Sequence, residues 1–512
     1  MPIGRLLIRS AQLWGERPAL IDTASGRSLT FRDLANAAML IGRKLRDRGL
    51  SRGDRVALLG DATAEYLCTD YGIMAAGLVR VPLDPSLTDA ELANQIEDSG
   101  ARLLLLQAER ASLASLLATK PATAGVMCAS FDADALEQAK ALPHPLGPSL
   151  DEGRERLASL NYTGGTSGEP KAVMLTHANL RAAVQNIVMA RGMGRGDVML
   201  NVRPLWPIAA IIVLAHLAAG GTVVLGGRFE PQRTVSLLRE FKAAATSFIP
   251  THLVRLLRDC RADDLRSLTA LRSIDIGGAA VPLETFEQAL DAFGPKIGVL
   301  YGLTEASWSC YQPPSAFDAP PEIRRARMKS VGRPVFGCDI MIASGGDADE
   351  PGEVLIRGAH VMQGYWQRPE LTAAVLKDGW FGTGDLGLVD GEGVLSIVGR
   401  LKEVIRSGGK SVQPGEVEEV LCRFPGVAEA SVVGLPDKEW GELVAAAVVA
   451  APGVTFDETL LKRHCEAALS AHKRPKIVQV VGELPKSHYG KVQRGKVKAG
   501  LIEYRRVSTS DG

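Results

Sequence analysis

Short apolar runs alternate along this chain with longer segments of helical periodicity. RVALLG (55–60), ARLLLLQ (101–107), GTVVLGG (221–227) and LRSIDIGG (271–278) read as strands buried on both faces. Helical patterns lie between them, a rhythm that predicts βαβ units and an α/β fold of mostly parallel sheets flanked by helices. The opening MPIGRLLIRSAQLWGERPALID predicts a helix leading into a strand. Its apolar run is too short for a signal peptide and lacks a small-residue cleavage site. The most apolar run, residues 208–219, contains His216 and ends at Gly220 and Gly221. It falls well short of the roughly 20 residues needed to cross a bilayer and predicts a buried helix followed by the strand TVVLGG.

Two stretches break the rhythm. Residues 120–157, rich in Ala, Pro and Gly, form a connection, and the proline-rich residues 312–330 are expected to be a long loop. Near residue 400 the texture changes from glycine-punctuated strands to charged helices and short strands. A large N-terminal domain over 1–398, a hinge at 399–402 and a small mobile α+β lid over 403–512 are expected.

Composition adds mainly exclusions. The 512 residues exceed one ordinary core, and 46% hydrophobic content is that of a globular protein. With 59 basic against 58 acidic residues there is no electrostatic footprint for nucleic acid or an anionic membrane. Partners are expected to be small molecules or proteins, and a homodimer is compatible with this composition. Seven cysteines, odd in number and without CxxC spacing, indicate neither a disulfide framework nor a zinc site, so a reducing, cytoplasmic compartment is expected.

The chemistry concentrates in two motifs. YTGGTSGEPK (162–171) sets Gly164, Gly165 and Gly168 among Thr163, Thr166 and Ser167 and closes on Lys171. Glycines let backbone N–H groups approach an anion, hydroxyls donate to phosphate oxygens, and lysine adds a point charge. Glu169 and Pro170 separate the last glycine from the lysine, so this is not the kinase and GTPase P-loop. Taken alone, the stretch also fits an ordinary surface loop. The second motif, YGLTE (301–305), supplies a carboxylate suited to magnesium.

These motifs, with LRSIDIGGAAVP (271–282), GWFGTGDLG (379–387), GRLKEVIRSGGKSVQPGEVEEVL (399–421) and LPKSHYGKVQRGKVK (484–498), occur in the order seen in the adenylate-forming superfamily. That superfamily groups acyl-CoA synthetases, adenylation domains of peptide synthetases and firefly luciferase, and the resemblance runs over nearly the whole chain. It implies that Thr163 to Gly168 and Lys171 cradle the phosphates of ATP and that Gly277, Gly278 and Ala279 wall the adenine. Tyr301 and Gly302 would lie near the base, Thr304 would donate to the α-phosphate, and Glu305 would hold Mg²⁺. Asp385 resembles the ribose-binding aspartate, its acceptor-only oxygens suiting two hydroxyls; by itself it is equally a turn aspartate beside Gly384. Arg400 resembles an arginine that reaches ribose or phosphates, or is a solvated charge.

Lys491 matches the catalytic lysine, aimed at charge developing on the α-phosphate, although Lys486, Lys496 and Lys498 are close by. Lys402 would be the hinge about which the lid turns between adenylation and thioester formation. Gly408 and Gly409 would then line the channel for the thiol arm of CoA. Lys410 stands where many relatives carry an aromatic or neutral residue and has no assigned role.

Departures from the pattern bear on substrate. Gly164 and Ala172 replace a frequent serine and glycine, both tolerable changes. In PLWPIAAII (204–212), Pro207 stands where many relatives have histidine, and no acidic residue is present to pair an α-ammonium. An unpaired buried ammonium would cost several kcal/mol, which disfavours an amino acid. Trp206, Pro207, Ile208 and Trp308 are candidates for an acyl pocket, though each also fits the core. Arg203 fits either the second carboxylate of a diacid or a surface salt bridge. The expected activity is an AMP-forming acyl-CoA ligase acting on an apolar fatty or aromatic acid, with a place in fatty acid metabolism. A carrier-protein loading enzyme and a non-catalytic nucleotide binder are the alternatives.

Overall fold

The computed structural model describes residues 2–510 apart from 108–109, 144–155, 164–169, 344–349, 452, 455 and 487–491. The chain packs into two compact units: Met1–Ile340 with Ile356–Phe381, and Met341–Leu355 with Gly382–Gly512.

The first unit is α/β and holds two large sheets. Among the described residues one sheet has nine strands, in the order Arg333–Pro334, Cys310–Gln312, Ile297–Tyr301, Ser273–Ile276, Ala245–Phe248, Val198–Asn201, Thr222–Leu225, Pro18–Asp22 and Arg27–Thr30. The central strands from Ile297–Tyr301 to Pro18–Asp22 all run parallel. The other sheet orders Gly364–Tyr365, Lys171–Thr176, Leu157–Thr163, Val79–Pro82, Arg55–Leu59, Leu103–Leu106 and Met127–Ser130. Its last five strands are parallel and its first three antiparallel. Strands such as Val79–Pro82 and Leu103–Leu106 are buried at every position rather than alternately, because helices cover both faces. Thr30 with Asp33, Thr88 with Glu91 and Thr176 with Asn179 start three of those helices through reciprocal capping bonds.

The second unit is α+β. Gly441–Ala450 pairs antiparallel with Val427–Asp437 and parallel with Ile477–Val481, and Ile405–Ser407 and Lys410–Val412 complete the sheet. Val432, Val444, Ala446 and Val448 enter one core while Val433, Ala445 and Ala447 enter another, the period of two expected of strands buried on both faces. The strand Trp380–Val389, which enters this unit at Gly382, pairs with Leu395–Arg400.

The four strands read from apolar runs, the first helix and strand, and the buried helix Ala210–Ala218 all form. No helix among the described residues is long and apolar enough to cross a membrane. The expected long loop at 312–330 is corrected: it holds a 3-10 turn, Pro314–Phe317, and a helix, Pro321–Met328. Proline at the first helical position, Glu322 in the first turn and Arg325 and Arg327 in the last are helix signals that outweigh the proline content. The packing division falls at Phe381/Gly382, ahead of the expected joint at 399–402.

Candidate active site

Thr163 and Lys171 face each other across the antiparallel pair Leu157–Thr163 and Lys171–Thr176, so the chain leaves and re-enters the sheet at one place. Gly164, Gly165, Thr166, Ser167 and Gly168 lie outside the described residues. What the structure places is the frame around them. Just before the loop, the Tyr162 hydroxyl lies 2.7 Å from Asp98 Oδ2 and 2.9 Å from the Gln95 carbonyl. Just after it, Lys171 Nζ sits 5.4 Å from the centroid of the Tyr365 ring.

Tyr365 was not singled out by the sequence analysis, yet it joins the two motifs. Its hydroxyl donates to Glu305 Oε1 at 2.9 Å. Burial, and then the Glu305 charge, push its pKa well up, so it remains a donor. Glu305 is held from behind as well: its carbonyl accepts from Met362 N at 2.8 Å, and Ala306 bridges to Val361. Asn179 Nδ2 donates to the carbonyls of Ala359 (2.9 Å) and Val361 (2.8 Å), tying that segment to the helix His177–Arg191. The available sequence signal was the run Gly364-Tyr365-Trp366. A Cβ on Gly364 would come within 2.7 Å of the Thr372 side chain, so the strand must carry glycine there.

The nucleotide-side candidates follow the carboxyl ends of adjacent parallel strands, the usual place for ligands in open α/β sheets. Gly277 follows Ser273–Ile276, and Tyr301 ends Ile297–Tyr301. The two glycines differ in kind. A Cβ on Gly277 would lie 2.4 Å from Leu300 Cγ, so its glycine requirement arises from packing inside the protein. Gly278 has φ +90° with open space beside it, and Gly278 and Ala279 are exposed. Gly302 lets the chain fold back on itself, since a Cβ would meet Trp308 N at 2.5 Å. Thr304 and Glu305 then occupy a tight turn closed by mutual backbone bonds of Leu303 and Ala306 (3.0 and 3.2 Å).

Trp206, Pro207 and Ile208 form the turn between Val198–Asn201 and Ala210–Ala218. Trp206 and Trp308 are both 4% exposed. Trp308 packs on Tyr311 with centroids 5.5 Å apart, which favours its core reading. The Pro207 carbonyl accepts from Arg80 Nη2 at 3.1 Å, and Arg80 Nε lies 2.8 Å from the buried Asp70. Burial, opposed by Arg80, pushes Asp70 up to about 6. Arg203 is half-buried and donates to Ser247 Oγ at 3.1 Å.

In the second unit Asp385 and Arg400 are directly opposite across the strand pair and form an ion pair of 2.8 Å. Asp385 is 3% exposed, so it is no ordinary surface turn residue, and Arg400 is not simply solvated. Thr383 Oγ1, itself donating to the Val354 carbonyl at 2.8 Å, accepts from Asp385 N at 3.0 Å. Lys402 is exposed within the short turn Leu401–Glu403. Gly408 and Gly409 have φ of 58° and 78° and link two paired strands, the two-residue hairpin that needs positive φ at both positions. Turn geometry alone therefore accounts for both glycines, and Lys410 is exposed at the start of the next strand.

Lys491 lies outside the described residues, but the base of its segment does not. Lys486 bridges to Val492, and Gln493 N donates to the Pro485 carbonyl at 2.8 Å. Arg494, also missed from sequence, binds Glu403 at 2.9 Å and both oxygens of Glu418.

Among the described residues no cluster of three or more His, Cys, Asp or Glu could hold a metal. Glu305, which shares Tyr365 with Lys171, is a carboxylate of the kind that fits Mg²⁺, which typically binds through one or two carboxylates and substrate phosphates.

The AMP-binding enzyme family matches residues 7–366, and the AMP-binding enzyme C-terminal domain matches 416–491. Feruloyl-CoA synthase of Amycolatopsis sp. is 35% identical over 92% of this chain and 94% of its own. Sulfoacetate–CoA ligase of Cupriavidus necator is 33% identical over 96% of each. A fatty acid–[acyl-carrier-protein] ligase of Streptomyces coeruleorubidus is 32% identical over 94% of this chain and 93% of its own. ATP-bound MatB of Rhodopseudomonas palustris superposes with a TM-score of 0.88 at 28% identity, covering 98% of this chain and 99% of that one. The chain belongs to the AMP-binding enzyme family, within the adenylate-forming superfamily.

Proposed function

We propose that this protein is an acid–thiol ligase that activates a carboxylic acid with ATP and passes the acyl group to CoA. A carboxylate oxygen attacks the α-phosphorus, the bond to the β-phosphate breaks, and pyrophosphate leaves. The thiol then adds to the acyl carbonyl, AMP leaves, and a thioester forms. The observation that carries the reading is the approach of Lys171 and Glu305 to one tyrosine, joining the phosphate-loop motif to the carboxylate motif.

Within this reading the residues from Thr163 to Gly168 and Lys171 hold the phosphates, and Thr304 donates to the α-phosphate. Gly277, Gly278, Ala279, Tyr301 and Gly302 bound the base, and Asp385 receives the ribose. Magnesium, held by Glu305, would neutralise phosphate charge when bound. Lys491 stabilises the charge of the first transition state, and rotation of residues 403–512 about Lys402 exchanges it for the hairpin at Gly408 and Gly409.

An apolar fatty or aromatic acid is the proposed substrate class, because the turn carrying Trp206, Pro207 and Ile208 offers no acidic partner for an ammonium. The feruloyl relative supports it; the sulfoacetate relative shows that the family also admits small charged acids. The carrier-protein ligase among the relatives supports a second reading, in which the acceptor is a phosphopantetheine on a protein. Pyrophosphate release should be measured over fatty, aryl, dicarboxylic and amino acids, with CoA and with a phosphopantetheinylated carrier protein. CoA thioester with an apolar acid supports the proposal, thioester on the carrier alone supports the second reading, and no release with any acid favours a non-catalytic binder.

A further inference from the structure

We infer that Tyr365 is a positioning residue that couples the two halves of the phosphate site, its phenol orienting the Glu305 carboxylate and its ring seating the Lys171 ammonium. The inference rests on the assignment of Glu305 to magnesium proposed above.

The strand register puts Tyr365 where it can do both. Gly364–Tyr365 pairs antiparallel with Lys171–Thr176, and Tyr365 stands opposite Val173. Lys171 is two residues from Val173 and therefore on the same face, a diagonal neighbour within reach of a long side chain. The observed 5.4 Å between Nζ and ring centroid is that diagonal contact. At the far end of the ring the hydroxyl is 2.9 Å from Glu305 Oε1. One side chain thus spans from the lysine that closes the phosphate loop to the carboxylate of a separate motif.

The segment carrying Tyr365 is fixed on both sides of it. Tyr365 N donates to Thr372 Oγ1 at 2.9 Å and Trp366 N to the Ala172 carbonyl at 2.9 Å. Trp366 Nε1 donates to the Asp98 carbonyl at 3.2 Å, and Arg368 Nη2 lies 3.0 Å from Asp98 Oδ1. The other oxygen of Asp98 is the one that Tyr162 approaches at the opposite end of the phosphate loop. Asp98 therefore ties the entry of the loop and the Tyr365 segment to one helix, Asp89–Ser99. A phenol held this firmly restricts the rotation of the carboxylate it binds, as partners behind metal ligands do.

The test uses the full chain and direct titration calorimetry of ATP, with and without Mg²⁺, on wild type and on Tyr365→Phe, Tyr365→Leu and Glu305→Gln. Thermal unfolding serves as the fold control. Tyr365→Phe keeps the ring and is expected to lose about 10-fold or more of the magnesium-dependent affinity, the usual cost of removing a partner of a metal ligand, with magnesium-free ATP binding unchanged. Tyr365→Leu is expected to weaken magnesium-free binding as well, because Lys171 loses its seat. If Glu305→Gln loses the magnesium dependence and Tyr365→Phe does not, the inference is overturned and the site assignment stands. If Glu305→Gln keeps full magnesium dependence, the assignment of Glu305 fails and the inference falls with it. Should Tyr365→Leu not fold, the Phe variant alone decides.

Discussion

Replacing Arg494 by methionine should loosen the second unit. Arg494 Nε lies 2.9 Å from Glu403, Nη2 donates to Glu418 Oε2 at 2.8 Å, and Nη1 reaches Glu418 Oε1 and the Val432 carbonyl. Burial pulls its pKa down, but Glu418 and Glu403 outweigh this and the net shift is upward. The arginine side chain is 26% exposed and its partners 20% and 18%. Removing the cation leaves two poorly solvated carboxylates facing its place. Removing one partner of a buried pair costs about 3–5 kcal/mol. Discounting for the exposed quarter, about 2–3 kcal/mol is expected here. Amide hydrogen exchange in Val427–Asp437 and Gly441–Ala450 should accelerate by about 30- to 150-fold if those strands exchange through opening of the unit. Glu418→Gln combined with Arg494→Met should cost less than the two single losses added. Unchanged exchange in Arg494→Met, or strict additivity, would refute the reasoning, because the contacts would then be screened surface pairs.

Three further outcomes are expected. Gly277→Ala should lower stability by about 1–3 kcal/mol through overpacking against Leu300, with partial recovery on adding Leu300→Ala; thermal unfolding checks both. Asp385→Asn should remove most of the preference for ATP over 2′,3′-dideoxy-ATP in equilibrium binding; retention of that preference would exclude Asp385 from the ribose. Burial lowers His177, His216 and His360 to about 4, helped by nearby positive charge at His177 and opposed at His216 by its bond to Asp197. Their folded values lie below the unfolded 6.5, so the stability they contribute is complete above pH 6.5 and lost as pH falls through 4, on the order of 3 kcal/mol each. Asp70, raised to about 6, acts in the opposite sense over pH 4–6. The melting temperature of the first unit should therefore fall between pH 7 and 4.5, and less steeply in His360→Gln.

What could be read before the structure was local. Buried strands such as Leu103–Leu106 announced themselves because every position is apolar, and the motif glycines carried their own conformational reasons. Residues that matter through distant partners were silent. Tyr365 is an ordinary aromatic until the register brings it beside Lys171, and Arg494 is one of many cations near Lys491 until the fold sets Glu403 and Glu418 around it. The helix Pro321–Met328 was misread because proline content was weighed without regard to position: at the first turn proline is compatible with a helix. Gly277 carries a second reason for glycine that no motif shows: Leu300 fills the space its missing side chain leaves.

The most direct test of the account is the fate of oxygen. An apolar acid found active in the pyrophosphate assay should be supplied with ¹⁸O in its carboxylate, together with MgATP and CoA, and the nucleotide product analysed by mass spectrometry. The account predicts AMP carrying one ¹⁸O atom per thioester formed, with the reaction suppressed in Lys491→Ala. Unlabelled AMP, or ADP accompanied by labelled phosphate, would contradict an acyl-adenylate intermediate.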